Sequence, residues 1–377
     1  MIPTFPIDLP QTNLCCELHL SGRQKTQALA GYVDATMDVS DRLRLRAGAR
    51  YSHEKRDGDQ RFELVTLTGM RLAPNPQLFP GSVSTGRTGV QPDPFGFVVA
   101  PVDGPARFNA FTPKIGIDYA LDDDVLLYAT AQRGFKSGGY NIGSSQREQF
   151  QPEKIWSYEA GAKTELLDRR LRLNGALFHY DYTNLQAQDS IGNQPIIRNV
   201  GETAVNGAEV EGVLSLSDQW QLDGAVTWLD AKFTKGELTE PLRPAPLTQA
   251  PGTLVRDLDG LRLPRAPEWK TQVGLQFTRP LDGVGTVTAR VDYARASKIY
   301  FTVFNIDAAS EGGYGLLKAR VGWTSEDRRW SVAAFADNIT NERYFTNQIL
   351  TGTVYGAEFV GSMGPPRLYG VETGFRF

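Results

Sequence analysis

Cysteine is nearly absent from this 377-residue chain. The only two, Cys15 and Cys16, are adjacent and precede the first regular pattern, so no disulfide framework is available and both read as incidental. Their place after Leu14 has the outline of a lipoprotein cleavage site, but Met1-Ile2-Pro3-Thr4-Phe5-Pro6 lacks the basic and apolar stretches of a secretory signal. Histidine is as scarce: His19, His53 and His179 lie far apart, without the spacing of metal ligands, and neither a metal nor a cofactor is expected. A charge bias is missing too, because 40 cations against 43 anions leave a net charge of -3, which offers no basic face to nucleic acid. No run approaches the ~18 consecutive apolar residues of a spanning helix, so any membrane crossing would be made by strands. The mean hydropathy of -0.33 does not argue against that, since a barrel hides its apolar residues by alternation. Phosphate-binding glycine loops, nucleophile elbows and clustered His/Glu sets are also lacking, so no enzyme is expected.

What is abundant is alternation. From Val125, the apolar Val125, Leu127, Ala129 and Ala131 interleave with Tyr128, Thr130, Gln132 and Lys136, the period of a strand whose faces meet two different solvents. Leu43, Leu45, Ala47, Ala49 and Tyr51 likewise oppose Arg42, Arg44, Arg46 and Arg50, and Phe111, Ile115, Ile117 and Tyr119 oppose Thr112, Lys114 and Asp118. Further strands are predicted near 155–167, 171–182, 206–216, 219–233, 268–279, 285–298, 314–324 and 329–339, with a final one after Pro366. In 171–182 the period slips at Gly175-Ala176, where a bulge or face switch is predicted. Glu209 and Glu211 share one face and are expected to line a lumen rather than to act as an acid/base pair.

In any single strand a soluble sandwich with one wet face would look the same. The connections separate the two: tight turns at Ser40-Asp41, Asp122-Asp123-Asp124, Asp168-Arg169, Ser217-Asp218, Asp282-Gly283 and Glu326-Asp327 alternate strictly with long irregular segments, as in outer-membrane barrels. All six tryptophans (Trp156, Trp220, Trp228, Trp269, Trp323, Trp330) fall at or near predicted strand ends. Trp220 and Trp228 share a face, and eight residues of tilted strand separate them by about 20 Å, close to the height of a bacterial apolar band. The expected fold is therefore all-β, a partial antiparallel transmembrane β-barrel of about 13 or 14 strands. Residues 1–22 read as an irregular N-terminal segment with room for one short strand over 14–20, and residues 23–377 as the barrel unit.

The segment Arg133-Gly134-Phe135-Lys136-Ser137-Gly138-Gly139-Tyr140-Asn141 resembles the late-barrel signature of TonB-dependent outer-membrane receptors. So do Phe150-Gln151-Pro152-Glu153 with Ser157-Tyr158-Glu159-Ala160-Gly161, Gly207-Ala208-Glu209-Val210-Glu211-Gly212, and Ala336-Asp337-Asn338-Ile339-Thr340-Asn341 with Tyr344. The resemblance covers nearly the whole chain but only the latter part of the family's pattern, which includes a plug inside a barrel of about 22 strands. It implies a receptor for active uptake of a scarce solute, an iron–siderophore complex being the expected cargo, here as a truncated form lacking plug and TonB box. A passive pore or inactive receptor fragment is one alternative; a soluble all-β binding protein is another. The implied partners are outer-membrane lipid, the solute, the TonB complex through a plug, and the barrel-assembly machinery at the terminal strand ending in Phe377. Arg44, Arg46, Lys114, Glu159 and Lys163 would face that plug, or line a polar channel without it. Tyr140, Arg147, Tyr300, Tyr344 and Tyr355 are placed to contact a ligand, although loop packing or an aromatic rim accounts better for each, and no binding residue is assigned.

Overall fold

A computed structural model describes residues 16–66, 71–72, 105–141, 149–191, 194–239, 255–350 and 359–377. Thirteen strands follow one another around a single antiparallel sheet, each paired with its neighbours in sequence. They are β1 (Cys16–Asp38), β2 (Leu43–Thr66), β3 (Ala106–Ala120), β4 (Val125–Lys136), β5 (Glu153–Leu166), β6 (Leu171–Ile191) and β7 (Gln194–Ser215), then β8 (Trp220–Thr239), β9 (Trp269–Leu281), β10 (Gly285–Ala296), β11 (Tyr314–Ser325), β12 (Trp330–Asp337) and β13 (Leu368–Phe375). As first and thirteenth of an antiparallel series, β1 and β13 run in the same direction and form the two free edges among the described residues.

The register sorts side chains onto two faces. Across β8, β9 and β10, Trp228 pairs with Trp269, Leu222 with Leu275, and Leu275 with Val291, while Trp220 lies against Phe277 with ring centroids 4.8 Å apart. One face is thus apolar between two aromatic rows. Its side chains are not tucked away: Ile115 is 63% exposed, Leu177 66% and Val321 55%, and Trp330 at 55% lies tilted against Phe375 with ring centroids 4.6 Å apart. Among the described residues the buried apolar clusters lie at the loop rim and not along this face. The opposite face carries the polar set, and it is concave, because Arg290 of β10 reaches Asp223 of β8 across the whole width of β9.

Short turns close the hairpins at one rim through local hydrogen bonds. Ser40 Oγ accepts from the Leu43 amide at 3.1 Å, Ser217 Oγ from the Trp220 amide at 3.2 Å, and Asp122 Oδ1 from the Asp124 amide at 2.9 Å. The expected turns are all in place. At the other rim the sequence-based picture needs correction. The stretch 183–205 is not an open segment: β6 and β7 continue through it as a long hairpin, and only residues 192–193 separate them, so short and long connections do not alternate strictly. β1 begins at Cys16, so residues 16–22 of the segment expected to be irregular belong to the first strand, and residues 1–15 lie outside the described residues.

The bulge expected at Gly175-Ala176 is also elsewhere. Gly175 pairs with Ala162 and Val210, and Ala176 with Gly161 and Glu209, without interruption; the register shifts instead around Asn199 to Thr203, opposite Asn184. The period slips at 175–176 because Ala176, Phe178 and Tyr180 put apolar and aromatic side chains on the concave face, while the outer face turns polar only after Leu177. His179 and Asp181 then occupy the outer face, while Phe178 and Tyr180 stack on the concave face 4.9 Å apart.

Candidate functional site: the polar face and the loop platform

The concave face is a ladder of neutralised charges. Arg290 donates two hydrogen bonds to Asp223, at 2.7 and 2.9 Å, and its Nε donates to Asp292 at 2.9 Å. Gly274 of β9 makes this possible, since a Cβ there would stand 2.3 Å from the guanidinium. Arg46 binds Asp118 at 2.6 Å, Arg44 binds Asp38 at 2.6 Å, and Arg320 of β11 binds Glu372 of β13. Tyr128 donates to Glu159 at 2.8 Å, with the Lys163 ammonium 5.7 Å from the same ring. Asn174 donates to Glu211 at 3.0 Å. A recess of about 330 Å³ lies between Arg172, Asn174, Glu211, Asp223 and Gln272. Charges half-exposed to water and already paired suit a wet wall that receives another polar surface; nothing in the set is arranged as nucleophile and base.

Arg44, Arg46, Lys114, Glu159 and Lys163 therefore all lie on the polar face, as alternation predicts, and so do Glu209 and Glu211. Asp118 and Tyr128 stand in the same polar sets by sequence, but their pairing with Arg46 and Glu159, the partner Asp38 and the Asp223–Arg290–Asp292 triad are not singled out there. Period two would have placed all of them on that face.

At the loop rim, Val200, Phe233, Leu238, Leu258 and Phe304 form a buried apolar cluster drawn from the loop-side ends of β7 and β8 and from the two connections that follow β8 and β10. Backbone pairing holds it, with Phe233 N donating to Leu261 O at 2.9 Å, and Asn305 clamping both the amide and the carbonyl of Arg262. Arg265 donates to Asn347 at 2.6 Å, and the Phe345 amide donates to Glu311 at 2.7 Å, tying in the hairpin Phe345–Leu350 with Phe359–Met363. On the other side Ala106, Phe108 and Tyr140 make a smaller buried cluster. Lys298 stands 2.5 Å from Asp307, and this hydrogen bond holds the Asp307 carboxyl below the usual carboxylate range and the ammonium above the usual lysine value.

Of the loop aromatics, Tyr140 and Tyr344 are buried. Tyr140 is 5% exposed, and Tyr344, 8% exposed, stacks on Tyr314 at 4.2 Å; Tyr300 lies under the Lys298 ammonium at 4.6 Å. Arg147, Tyr355 and Cys15 lie outside the described residues. His53 contacts Asn109 and His179 contacts Asn206, and among the described residues no group of three or more His, Cys, Asp or Glu converges as a metal site.

A paired sheet with an apolar outer face, two aromatic rows and a charged concave wall matches one family description, the TonB-dependent receptor-like β-barrel, over residues 4–339. The chain belongs to this family. It is 23% identical over 367 residues to the pesticin receptor of Yersinia pestis, an overlap covering 96% of this chain and 45% of that one. It is 36% identical over 130 residues to the metal-pseudopaline receptor of Pseudomonas aeruginosa, covering 34% of this chain and 18% of that protein. Among solved structures it superposes on the ferric yersiniabactin uptake receptor from Yersinia pestis with a TM-score of 0.71 at 21% identity, covering 96% of this chain and 47% of the other. The siderophore receptor from Acinetobacter baumannii gives 0.65 at 17% identity, over 93% and 43%. The chain thus spans about half the length of the relatives it matches end to end. These TonB-dependent receptors are outer-membrane β-barrels of Gram-negative bacteria and transport receptors, not enzymes, and the chain shares their fold.

Proposed function

We propose that the chain is the C-terminal part of the barrel wall of an outer-membrane receptor that takes up a scarce metal chelate, with an iron–siderophore complex as cargo and TonB as the source of work through a plug. The observation that carries this reading is the two-faced sheet itself. Thirteen consecutive strands present an apolar band bounded by aromatic rows to one side and a paired-charge wall to the other. The relatives named for ferric yersiniabactin and metal-pseudopaline support the cargo class. In this reading residues 23–377 are barrel, the ladder from Arg44 to Glu372 is where a plug would dock, and the strand ending at Phe377 is offered to the barrel-assembly machinery.

The test is uptake of radiolabelled ferric chelate by iron-starved cells of the native host, with and without the gene. Gene-dependent uptake that stops when a protonophore collapses the proton-motive force supports the reading. Gene-dependent entry of small hydrophilic solutes that persists with the protonophore would instead make the protein a passive pore.

A further inference from the structure

The last long connection, residues 338–367, joins β12 to a strand with little to hold it. β13 has eight residues and, among the described residues, no neighbour besides β12. Their ladder stops at Asp337 and Leu368. Backbone pairing cannot carry it further, because Pro365 and Pro366 have no amide to donate and Asn338 turns the chain into the left-handed region at φ 49°. Closing a flexible loop of this length costs more entropy than closing a tight turn of the opposite rim, and a two-stranded hairpin is marginal on its own.

Side chains supply the closure. Asn338, 5% exposed, accepts a hydrogen bond from the Glu342 amide at 2.8 Å and donates to the Glu342 carbonyl at 2.9 Å and the Pro365 carbonyl at 3.0 Å. Both its donors and its oxygen are therefore engaged by backbone. Asn341, also left-handed at φ 55°, accepts from the Arg367 amide at 3.1 Å, one residue before β13 begins. The Gly364 amide donates to the Tyr344 carbonyl at 2.9 Å, and the Tyr344 ring lies over Gly364, leaving no room there for a side chain. The same ring stacks on Tyr314 of β11. These are residues of the motif Ala336 to Asn341 with Tyr344. They bond the two ends of the connection, 338–344 and 364–367, to each other just where the ladder stops, so closure does not depend on the segment between them.

We propose that this clamp is an assembly device: it closes the β12–β13 hairpin early, so that the barrel-assembly machinery receives a two-stranded unit with the free edge of β13 already in register, not a lone extended strand. The proposal rests on the outer-membrane reading above, in which the strand ending at Phe377 is offered to that machinery. Contacts between residues far apart in sequence are slow to form because loop closure comes first, and a clamp at the ends of the loop removes that delay for every rung of the β12–β13 ladder. Since the Asn338 amide has no donor or acceptor left for a ligand, its loss should slow assembly and leave transport by assembled molecules unchanged.

Asn305 supplies a matched control. It is left-handed at φ 51° and clamps the amide and carbonyl of Arg262 in the same way, but it lies between β10 and β11, which pair over twelve residues each inside the sheet. Glycine keeps the left-handed backbone and removes only the clamp, so the variants are N338G, N341G and N305G. Each is made in the native host and followed by pulse-chase into the protease-resistant, heat-modifiable outer-membrane form, and ferric-chelate uptake is measured per assembled molecule. N338G is expected to lengthen the assembly half-time about tenfold, N341G about threefold and N305G less than twofold, with uptake per assembled molecule unchanged in all three. Equal half-times for N338G and N305G overturn the proposal, as does a normal N338G half-time with reduced uptake per molecule. If N338G yields no assembled protein, N341G against N305G decides by the same comparison. Recovery of the unaltered protein, folded, in the aqueous fraction without detergent overturns the outer-membrane reading itself, whereas membrane-inserted variants with equal half-times overturn the clamp alone.

Discussion

At the short-turn rim each hairpin is closed by three or four residues through local hydrogen bonds, by backbone alone at some, such as Leu167–Arg170, and with a side chain at others, as Ser325 bonds the Trp330 amide at 2.9 Å. At the loop rim Phe233 and Leu258 are 1% and 0% exposed in a cluster that gathers residues from 185 to 306. One rim is a set of independent local closures; the other is a cooperative platform whose parts are distant in sequence. A substitution at the first should be felt by one hairpin only. A substitution at the second should loosen several connections together.

The largest expected effect is therefore at Phe233. Phe233→Ala removes the ring at the centre of the cluster and should destabilise the platform by about 3–5 kcal/mol. Hydrogen exchange should show lost protection at the amides of Phe233, Leu258, Leu261 and Leu263 together, with the turns at Ser40 and Ser217 unchanged. Loss confined to residue 233 and its chain neighbours would remove the distinction between the rims.

A middle effect belongs to the concave wall. Arg290→Met leaves Asp223 and Asp292 without their shared cation, and with each group roughly a third exposed the cost should be about 1–2 kcal/mol. A double-mutant cycle with Asp223→Asn should recover most of it; strict additivity would mean that the pair does no work in the folded wall.

At the short-turn rim, Ser325→Ala should cost about 1 kcal/mol or less, because one local hydrogen-bonding group is lost at an exposed turn. Exchange should quicken only near Asp327 to Trp330, and loosening at the loop rim would contradict the independence of the turns.

The smallest effect is the pH dependence of the exposed Lys298–Asp307 contact. Asp307 titrates below the ordinary carboxylate value, so its contribution is complete above about pH 4 and fades as pH falls through its lowered pKa. Lys298 titrates above the ordinary lysine value, so its contribution is complete below about pH 10.4 and fades as pH rises. The turn Asp307–Ala309 should keep a constant chemical-shift signature between about pH 5 and pH 10. A transition inside that window would show that the two groups are not paired.

The same contrast explains what could be read from sequence. β9, β10, β11 and β12 are located to within a few residues at their short-turn ends, because an apolar and a polar face alternate strictly down to the turn. The extensions of β6, β7 and β8 toward the loop rim were missed. Beyond the aromatic rows both faces are wet or covered by neighbouring loops, so the ladder continues without an alternating pattern. The polar face is legible residue by residue in Arg44, Arg46, Asp118, Tyr128, Glu159 and Lys163, though the pairing of Arg46 with Asp118 and of Tyr128 with Glu159 is given only by register. The platform of Phe233, Leu258 and Phe304 left no trace, since its members share no period and meet only through folding.

The most direct test places nitroxide spin labels singly along β8 of the membrane-embedded protein, from Gln221 to Thr227, and compares collisions with oxygen and with a water-soluble nickel chelate. Labels at 222, 224 and 226 should favour oxygen and labels at 221, 223, 225 and 227 nickel, in strict alternation. Equal access of nickel to both sets, or protection of 222, 224 and 226 from both reagents, would contradict a sheet with lipid on one side and water on the other.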